Sequence, residues 1–517
     1  MRQEAPNILV VMYDQMTPTA LGCYGNPAVR SPHIDALAAS GVVFDAAYTN
    51  SPLCSPARSC MMTGRLPSAT GCYDNGSYWP STLPSVAHYL RAGGYRTVLT
   101  GKMHFIGPDQ LHGFEERRTT DVYPADFDWT ADWRRPDELN HMWLDEGLAS
   151  ILGAGVAEVT NQFLYDDEVG HQAVRALHDI ARQDDGRPFF AVASFSHPHD
   201  PFVTRQRYWD QYEDVEIPLP AVGPSDVRDL DPHSERLARM CCWEDVVLPD
   251  EAVRRARRAY YANVTCVDEW TGRLLETLRG LDLADDTVVI LTSDHGDMLG
   301  ERGHWYKCSF FEGSGRIPFV VNAPGRLRPG RVAEPVSLVD FLPTVLDLAG
   351  LGDRELVDAI DGASVLPLCE ETAGASPAPA AVRRTVYGEY LAEGTAAPIV
   401  MVRRGSWKYL YGEEDGDLLF NLAADPLELA DLAADPAHAG VVAGFRAEVA
   451  RRWDLEALRR RVLADQDRRH FLTSALRSGH ITPWDFSPHR DATREYIRTH
   501  IEGSPFYDLE RLARWPR

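Results

Sequence analysis

The sequence predicts an α/β fold in which helices cover both faces of a largely parallel sheet. Short, continuous apolar runs indicate strands that are buried on both sides, as the strands of a parallel sheet are. Segments with helical periodicity, for example 84–92 and 166–182, lie between these runs. Strands that alternate with helices in this way are typical of a domain with three layers. The apolar runs lie at 8–12, 95–99, 189–195 and 288–292.

Each apolar run is followed by polar residues that can take part in chemistry. In an open α/β sheet, the ligand site lies at the carboxyl ends of the strands. Four such coincidences are hard to explain as solvated loop tips, so we expect these side chains to surround one site. In chain order, they are Asp14 and Gln15, Lys102 and His104, His197 and His199, and Asp294 and His295.

A change of composition divides the chain. Residues 370–381 are rich in Ala, Pro and Ser, which predicts a linker or a surface loop. We place a domain boundary there, between residues 1–375 and a C-terminal subdomain of residues 376–517. The aromatic tail from Ser474 has little periodicity and is predicted to pack on its own domain or on a neighbouring subunit. Within the subdomain we predict strands at 385–390, 399–403, 407–411 and 417–421 and a helix at 445–463.

Charge and cysteine content exclude some classes of function. The net charge of −24 leaves no basic excess for binding nucleic acid. The sequence begins with a strand-like segment that does not resemble a signal peptide, so we expect none, and that apolar run is too short to span a membrane. Nine cysteines without paired spacing are typical of reduced thiols. We therefore expect a cytoplasmic protein with neither a nucleic-acid nor a membrane partner.

The first and last strand ends carry residues that suit a metal ion. Asp14, Gln15, Asp294 and His295 could meet at one hard cation. Two carboxylates and an amide oxygen suit Ca²⁺, Mg²⁺ or Mn²⁺. The imidazole favours Mn²⁺, unless His295 instead donates to an anionic substrate. The alternative for the Asp-Gln pair is an ordinary turn or helix cap.

The remaining strand ends suit an ester of a charged acid. Lys102 and His104 alternate at a strand end, so both side chains can point towards one site. Lys307 and Arg58 would add fixed positive charge around the anionic group. His199 could protonate the leaving alcohol, with His197 as its rival for that role.

Several motifs make the chain resemble the type I (formylglycine) sulfatases over its whole length. They are Cys54-x-Pro-x-Arg58, Thr63-Gly64-Arg65, Gly101-Lys102-x-His104, Pro198-His199-x-Pro201, Ser293-Asp294-His295-Gly296, Lys307 and the late segment 419–428. The resemblance implies an alkaline-phosphatase-like α/β/α sandwich with a smaller C-terminal α+β subdomain that contains an antiparallel sheet. It implies that a formylglycine-generating enzyme oxidises Cys54 to formylglycine. It also implies that His199, rather than His197, faces the ester.

The same resemblance implies a single divalent metal ion, with Ca²⁺ as the first choice and Mn²⁺ or Mg²⁺ as alternatives. Its ligands would be Asp14, Gln15, formylglycine 54, Asp294 and His295.

The nucleophile could be the hydrate of formylglycine 54, the Cys54 thiol or Ser55. A thiol offers no simple route for breaking down a thiosulfate intermediate. An aldehyde hydrate offers one, because one hydroxyl attacks sulfur and the second expels sulfate by re-forming the carbonyl. The hydrate is therefore the nucleophile that we expect.

Three longer runs, at 101–117, 121–129 and 303–307, are similar to bacterial choline sulfatases. A quaternary ammonium group cannot donate hydrogen bonds and is recognised by aromatic faces and nearby carboxylates. The resemblance implies that Trp129 contacts this group, that Asn75 lines the same pocket and that Glu389 adds negative charge. The alternative for Trp129 is a buried core aromatic.

Two departures from the choline-sulfatase pattern concern the substrate side. The chain has Gly147 where those enzymes carry an asparagine near the choline head. The tail, which in that family reaches the site of a neighbouring subunit, has an insertion at 503–507, and its acidic contact is either Glu502 or Asp508. The resemblance implies a homo-oligomer, a dimer or a tetramer, that assembles through this tail.

The sequence therefore favours hydrolysis of choline O-sulfate to choline and sulfate. Two alternatives within enzymes are a sulfatase for another small alkyl or aryl sulfate and a phosphonate monoester or phosphodiester hydrolase with the same formylglycine site. A further alternative is a binding protein in which Cys54 stays a thiol. The presence of every charged site residue argues against it, because a pure binding site needs no nucleophile.

Overall fold

A computed structural model of the chain describes residues 5–136, 147–183, 185–223, 231–241, 243, 246–371 and 384–489. The strands of the larger domain in chain order are β1 (Asn7–Asp14), β2 (Val42–Phe44), β3 (Ala47–Tyr48), β4 (Arg96–Gly101), β5 (Glu116–Arg117), β6 (Gly155–Val156), β7 (Phe189–Pro198), β8 (Val203–Thr204), β9 (Thr287–Ser293), β10 (Phe319–Asn322), β11 (Gly330–Val332) and β12 (Val336–Ser337).

Helices connect these strands and continue beyond them. In chain order they are α1 (Pro32–Ala39), α2 (Cys54–Thr63), α3 (Pro67–Thr70), α4 (Val86–Ala92), α5 (Gly147–Leu152), α6 (Asn161–Gln183), α7 (Gln206–Trp209), α8 (Pro232–Met240), α9 (Asp250–Gly280), α10 (Glu312–Gly315), α11 (Phe341–Leu348), α12 (Leu366–Glu371), α13 (Ala439–Arg452) and α14 (Leu455–Arg477).

The central sheet has eight strands in the order β11-β2-β10-β9-β1-β7-β4-β5. β1 lies between β7 and β9 and is parallel to both, and β4 is parallel to β7. β10 differs from the predicted parallel arrangement, because it runs antiparallel to both β9 and β2. The carboxyl ends of β1, β4, β7 and β9 consequently meet at one edge of the sheet.

The residues of β1 show why the domain has three layers. Side chains alternate across a strand. Leu9, Val11 and Tyr13 pack in the core that contains α6 and α9. Ile8, Val10 and Met12 pack in the core that contains α2, α4 and α11. Because both sets are fully buried, the strand reads as a continuous apolar run.

The predicted smaller sheet is present. Its strands are β13 (Thr385–Tyr390), β14 (Ile399–Arg404), β15 (Trp407–Gly412) and β16 (Gly416–Asn421), paired antiparallel in that order. α13 covers one face of this sheet, where Phe445 packs on Tyr409 with ring centroids 5.3 Å apart. The predicted domain boundary at 375/376 lies outside the described residues.

The prediction of one helix over 445–463 was wrong. α13 ends at Arg452, Trp453 is extended, and a new helix begins at Leu455. The break follows from Asp454, whose side chain accepts a hydrogen bond from the backbone N–H of Ala457 and so caps α14. α14 extends to Arg477, and residues 478–489 continue as irregular chain. None of the helices among the described residues is long and apolar enough to cross a membrane.

Candidate active site

Cys54 is the first residue of α2, and the local sequence explains this position. Leu53 is extended, with φ −156° and ψ 143°, so the helix begins directly after it. Pro56 lies in the first turn, where its missing N–H removes no intrahelical bond. Arg58 follows Cys54 by four residues and therefore lies on the same helix face. The motif thus places a cation one turn behind a side chain at the helix N-terminus.

Arg58 is fully buried and holds two carboxylates in place. Its Nε donates to Asp294 Oδ2 at 2.9 Å, and one terminal nitrogen donates to Asp14 Oδ2 at 3.0 Å. The other terminal nitrogen donates to Ser194 Oγ and to the carbonyl of Lys102. We expected Arg58 to add positive charge around the anionic group, and in the structure all its nitrogens donate to protein acceptors. Its charge therefore acts on the site from behind these two carboxylates.

The predicted metal ligands come together at this edge of the sheet. Ligand atoms of Asp14, Cys54, Asp294 and His295 all lie within 4.8 Å of one another, and all four residues are buried. Burial alone would raise the pKa of Asp14, but Lys102, His199 and Arg58 hold it well below its ordinary value. A compact, buried group with two carboxylates fits a hard divalent cation.

The hydrogen bonds around this group leave ligand atoms facing inward. Asp14 Oδ2 is bound by Arg58 and Lys102, whereas Oδ1 lies 3.8 Å from Cys54 Sγ. His295 Nδ1 lies 3.0 Å from the carbonyl of Gly296, which can only accept, so Nδ1 carries the proton. Burial lowers the pKa of His295, which keeps the ring neutral with the Nε2 lone pair towards Cys54 Sγ at 3.3 Å.

Gln15 completes the group through its amide. Its backbone is left-handed, with φ 64°, and Tyr260 Oη donates to its carbonyl at 2.6 Å. Gln15 Nε2 donates to Asp297 Oδ2 at 2.6 Å, so Oε1 points the other way, where Lys307 Nζ donates to it at 2.6 Å. The amide oxygen therefore faces the site.

Lys102 and His104 reach the site through a turn that requires glycine. Gly101 has φ 102°, and a Cβ there would lie 1.9 Å from the Ser194 carbonyl oxygen. The turn brings Lys102 Nζ to 3.5 Å from Cys54 Sγ. Within the described residues, both buried ring nitrogens of His104 lack a hydrogen-bond partner. Burial and the charge of Lys102 hold the pKa of His104 well below its ordinary value.

His199 reaches the site, and His197 does not. His199 Nε2 lies 2.6 Å from Lys307 Nζ and 3.9 Å from Asp14 Oδ1. His197 instead bonds Asp166 through Nδ1 at 2.7 Å and stacks on Phe163. Burial alone would lower the pKa of Lys307, but the charges of Cys54, Asp200 and Asp14 raise it above its ordinary value. Lys307 therefore stays an ammonium beside His199.

An aromatic wall, formed by Trp129 and Tyr123, adjoins the polar group, which is the set of buried charged and polar side chains around Cys54. Trp129 is half-buried rather than a core residue, and its ring centroid lies 5.5 Å from that of His104. Tyr123 stands between them and His199, at 4.6 Å from the Trp129 centroid. Asn75 is close by in the chain fold, because its Oδ1 accepts the backbone N–H of Ser55 at 3.0 Å.

Glu389 is a predicted site residue that the structure places elsewhere. Its carboxylate is fully buried, accepts two hydrogen bonds from Ser68 at 2.7 Å and a third from Trp453 Nε1 at 2.6 Å. These donors occupy both oxygens, so the side chain ties α3 to the C-terminal subdomain. The expectation that it lines the aromatic pocket is not supported. Another buried carboxylate is Glu393, which lies near Cys308, the residue after Lys307; burial and then the charge of Glu393 raise the pKa of Cys308.

Sequence reasoning missed residues that hold the site in shape. Asp121 accepts the backbone N–H groups of Met103 and His104 at 3.0 and 2.9 Å and fixes the turn after β4. Asp297 accepts from Gln15 and from the N–H groups of Leu299 and Tyr306. Tyr123 and Asp121 stand in a run that resembled choline sulfatases, which was the available signal. The predictions for Gly147, Glu502 and Asp508 rest on side-chain surroundings or on residues outside the described part of the chain.

The family comparisons agree with this geometry. Residues 6–351 match the family model described as Sulfatase, residues 460–515 match the choline sulfatase enzyme C terminal, and residues 300–454 match the N-sulphoglucosamine sulphohydrolase C-terminal model. A choline-sulfatase from Rhizobium meliloti (strain 1021) is 44% identical over 518 residues, which covers 99% of each chain.

Solved structures share the fold. The phosphonate monoester hydrolase of Agrobacterium radiobacter aligns with a TM-score of 0.64 at 24% identity, over 89% of this chain and 96% of its own. A protein solved with its substrate D-glucosamine-2-N,6-O-disulfate aligns with a TM-score of 0.66 at 22% identity, over 89% of this chain and 98% of its own. The predicted alkaline-phosphatase-like sandwich with a C-terminal antiparallel sheet is confirmed. The chain belongs to the sulfatase family and is an enzyme that hydrolyses sulfate esters.

Proposed function

We propose that this sulfatase hydrolyses choline O-sulfate to choline and sulfate. The carrying observation is the half-buried wall of Trp129 and Tyr123, which adjoins His104 at the edge of the polar group. An aromatic face next to an anion-binding site suits a small substrate with a cation at one end and a sulfate at the other. The relative from Rhizobium meliloti, named a choline-sulfatase, supports the same substrate.

The charged residues suit the sulfate end. Lys102 and Lys307 are buried lysines near Cys54, and His104 offers a ring nitrogen without a protein partner among the described residues. Fixed cations and donors in a buried site neutralise charge that develops on transferring oxygens. Formylglycine made from Cys54 would supply a hydrate as the nucleophile.

His199 and Lys307 suit the leaving oxygen. The backbone carbonyl of Asp200 accepts from His199 Nδ1 at 2.8 Å, which directs Nε2 towards the site. Lys307 Nζ lies 2.6 Å from Nε2, so a proton can be held between the two groups. Delivery of that proton to the departing alcohol oxygen would make alkyl sulfates, whose alcohols are poor leaving groups, competent substrates.

One divalent metal ion would be held by Asp14, Gln15, the modified residue 54, Asp294 and His295. We propose Ca²⁺, because oxygen ligands predominate and the site is buried, with Mn²⁺ and Mg²⁺ as alternatives. The ion would draw electron density from the sulfate oxygens when bound. We also propose a formylglycine-generating enzyme as the maturation partner, a homo-oligomer as the working form and the cytoplasm as the compartment, since no disulfide joins the described cysteines.

The proposal is tested with a neutral isostere. Choline O-sulfate and 3,3-dimethylbutyl sulfate have the same shape, but only the first carries a positive charge at its alcohol end. We expect kcat/KM to be at least about ten-fold higher for choline O-sulfate, the scale of one desolvated cation–π contact. Equal values for the two esters would reject choline as the specific substrate.

A second candidate is a phosphonate monoester or phosphodiester hydrolase. The fold shared with phosphonate monoester hydrolases favours including it. Catalytic efficiency on a matched pair, a phenyl sulfate and a phenyl phosphonate ester, separates the two. A preference for the phosphonate would replace the sulfatase substrate proposed here.

A further inference from the structure

The aromatic wall is carried by an irregular segment, residues 121–136, and not by the central sheet. A side chain that must present its face to a cation needs a fixed backbone beneath it. The contacts that fix Trp129 therefore decide how well the wall works. These contacts come from an unexpected direction, namely the C-terminal helix α14.

Arg469 of α14 connects the wall to the rest of the site. Its side chain is 2% exposed, and its terminal nitrogens donate to both oxygens of Asp74 at 2.7 and 2.9 Å. One of them also donates to Thr130 Oγ1 at 2.8 Å, directly beside Trp129. Arg469 Nε donates to Asp465 at 2.8 Å, which fixes the guanidinium on its own helix.

Asp74 joins two segments beneath the site. It accepts the backbone N–H of Gly76 at 3.0 Å and that of Ala131 at 3.2 Å. The two segments touch closely, because a Cβ at Gly76 would lie 2.7 Å from the carbonyl carbon of Trp129. Asn75, between these contacts, binds the N–H of Ser55 next to Cys54.

Neighbouring residues of α14 reinforce the same segment. Gln466 accepts the N–H of Trp133 at 3.0 Å, and His470 Nε2 donates to the carbonyl of Ala131 at 3.1 Å. Arg477 binds Asp128 at 2.7 Å. The sulfate side of the site rests on other elements, since Lys102 follows β4, Asp294 follows β9 and Cys54 begins α2.

We propose that Arg469 is a positioning residue for substrate specificity, which acts through Asp74 and Thr130 to hold Trp129 and Asn75 at the site. The role rests on the proposed function, because it concerns recognition of the alcohol end of the substrate. A forked guanidinium suits it, since one group binds both carboxylate oxygens and the hydroxyl together. C-terminal helix and catalytic domain thus share one binding wall.

The test compares Arg469→Met, Arg469→Lys and the control Arg468→Met. Arg468 is adjacent on α14, and its side chain is 69% exposed. Hydrogen exchange followed by mass spectrometry measures how well the backbone around the aromatic wall is held in place, and it needs no substrate. We expect faster exchange in peptides that cover residues 74–77 and 127–133 of Arg469→Met, and no change in those of Arg468→Met. Unchanged exchange at these peptides in Arg469→Met would overturn the proposal.

Kinetics supply the second readout. We expect Arg469→Met to lower kcat/KM for choline O-sulfate at least about ten-fold, mainly through KM, and to affect 3,3-dimethylbutyl sulfate less. Arg469→Lys should fall between, because an ammonium group keeps the charge but not the fork. An equal loss on both esters would show that Arg469 only supports the fold and would overturn the specificity role.

The two measurements distinguish a failure of the proposed positioning role from a failure of the proposed substrate. The positioning contacts of Arg469 with Asp74 and Thr130 are called the clamp. If the wild-type enzyme does not distinguish the two esters, the proposed substrate fails, and hydrogen exchange still decides whether Arg469 holds the wall. If Arg469→Met does not fold, Thr130→Val removes one acceptor of the clamp and takes its place in both measurements. Exchange and specificity both unchanged in that variant would reject the role.

Discussion

Arg58 shows how much a single residue of the short motif contributes to the site. Its charge lies between Asp14 and Asp294, and all three side chains are fully buried. Removal of one partner from a buried ionic group leaves an uncompensated charge, which costs several kcal/mol. A cation at this position is therefore needed to keep two carboxylates close together before any metal binds.

Cys54 carries the first residue-level prediction. We expect tryptic mass spectrometry to show a loss of about 18 Da at Cys54, the mass difference between a thiol side chain and formylglycine. We expect Cys54→Ala to abolish turnover, because water alone is a poor substitute nucleophile. Retained activity in Cys54→Ala would contradict the mechanism, and an unmodified thiol in protein made with the maturation enzyme would favour a binding protein.

The second residue-level prediction concerns Trp129. We expect Trp129→Ala to weaken the binding of choline O-sulfate by about 1–2 kcal/mol, the scale of a desolvated cation–π contact. The effect on 3,3-dimethylbutyl sulfate should be smaller, because a neutral group loses only apolar contact. The measurement is the ratio of KM values for the two esters. Trp243→Ala is a matched control, since Trp243 packs on His304 and Tyr306, away from the wall.

The sequence located the side chains that meet at this edge of the sheet better than it located the contacts that support them. Asp14, Lys102, His199 and Asp294 were found because strand ends are recognisable from local pattern alone. Glu389 was misplaced, since the partners that capture its carboxylate, Ser68 and Trp453, are more than 60 residues away. Arg469 was missed for the same reason, because a contact with Asp74 that is 395 positions away in the chain leaves no local signal in the sequence.

At the scale of elements, the local sequence pattern predicted strands correctly where buried residues recur regularly. It predicted a helix wrongly where a single residue ends that helix. The apolar runs became β1, β4, β7 and β9, and the short strands of the C-terminal sheet appeared as predicted. The helix over 445–463 failed at Asp454, a single capping residue within a helical composition. An N-cap can end one helix and begin the next within two residues, and periodicity averaged over a window does not resolve it.

α1 provides an element-level prediction, because its cap comes from another helix. Ser31 makes no side-chain cap, whereas Asp268 of α9 accepts the N–H groups of His33 and Ile34 at 3.3 and 2.8 Å. Burial raises the pKa of Asp268 from 3.8 to about 7, against the effect of these bonds. The folded state therefore binds a proton that the unfolded state has released between these pH values.

That proton makes stability fall as pH rises from about 4 to about 7, by up to about 1.4 kcal/mol per pH unit. Asp268→Asn removes the titration, so we expect its Tm to fall less than that of the wild type between pH 5 and pH 8. Glu276→Gln, an exposed change on the same helix, serves as the control. Parallel pH profiles for wild type and Asp268→Asn would show that Asp268 is ionised throughout.

At the scale of the whole molecule, neither the overall charge nor the composition of the C-terminal segment indicates how the substrate is recognised. The net charge of −24 does not select an anionic substrate, so buried cations must do so locally. The domain boundary predicted from composition lies outside the described residues and stays a prediction. Composition does not indicate how α14 returns to the catalytic domain. That return depends on side chains such as Gln466 and Arg469, which a sequence pattern reads as an ordinary polar helix face.

The outer side of this C-terminal segment leads to the last prediction. Phe471, Leu476 and Ile481 are 71%, 48% and 58% exposed on α14 and the chain after it. Exposed large apolar side chains grouped on one segment are typical of a protein–protein interface. We expect a second copy to cover them, so that Phe471→Glu lowers the molar mass measured by light scattering. Val357→Glu, at a site 80% exposed and outside this segment, should leave the mass unchanged. A wild-type mass of 57.7 kDa, that of one chain, would contradict the homo-oligomer.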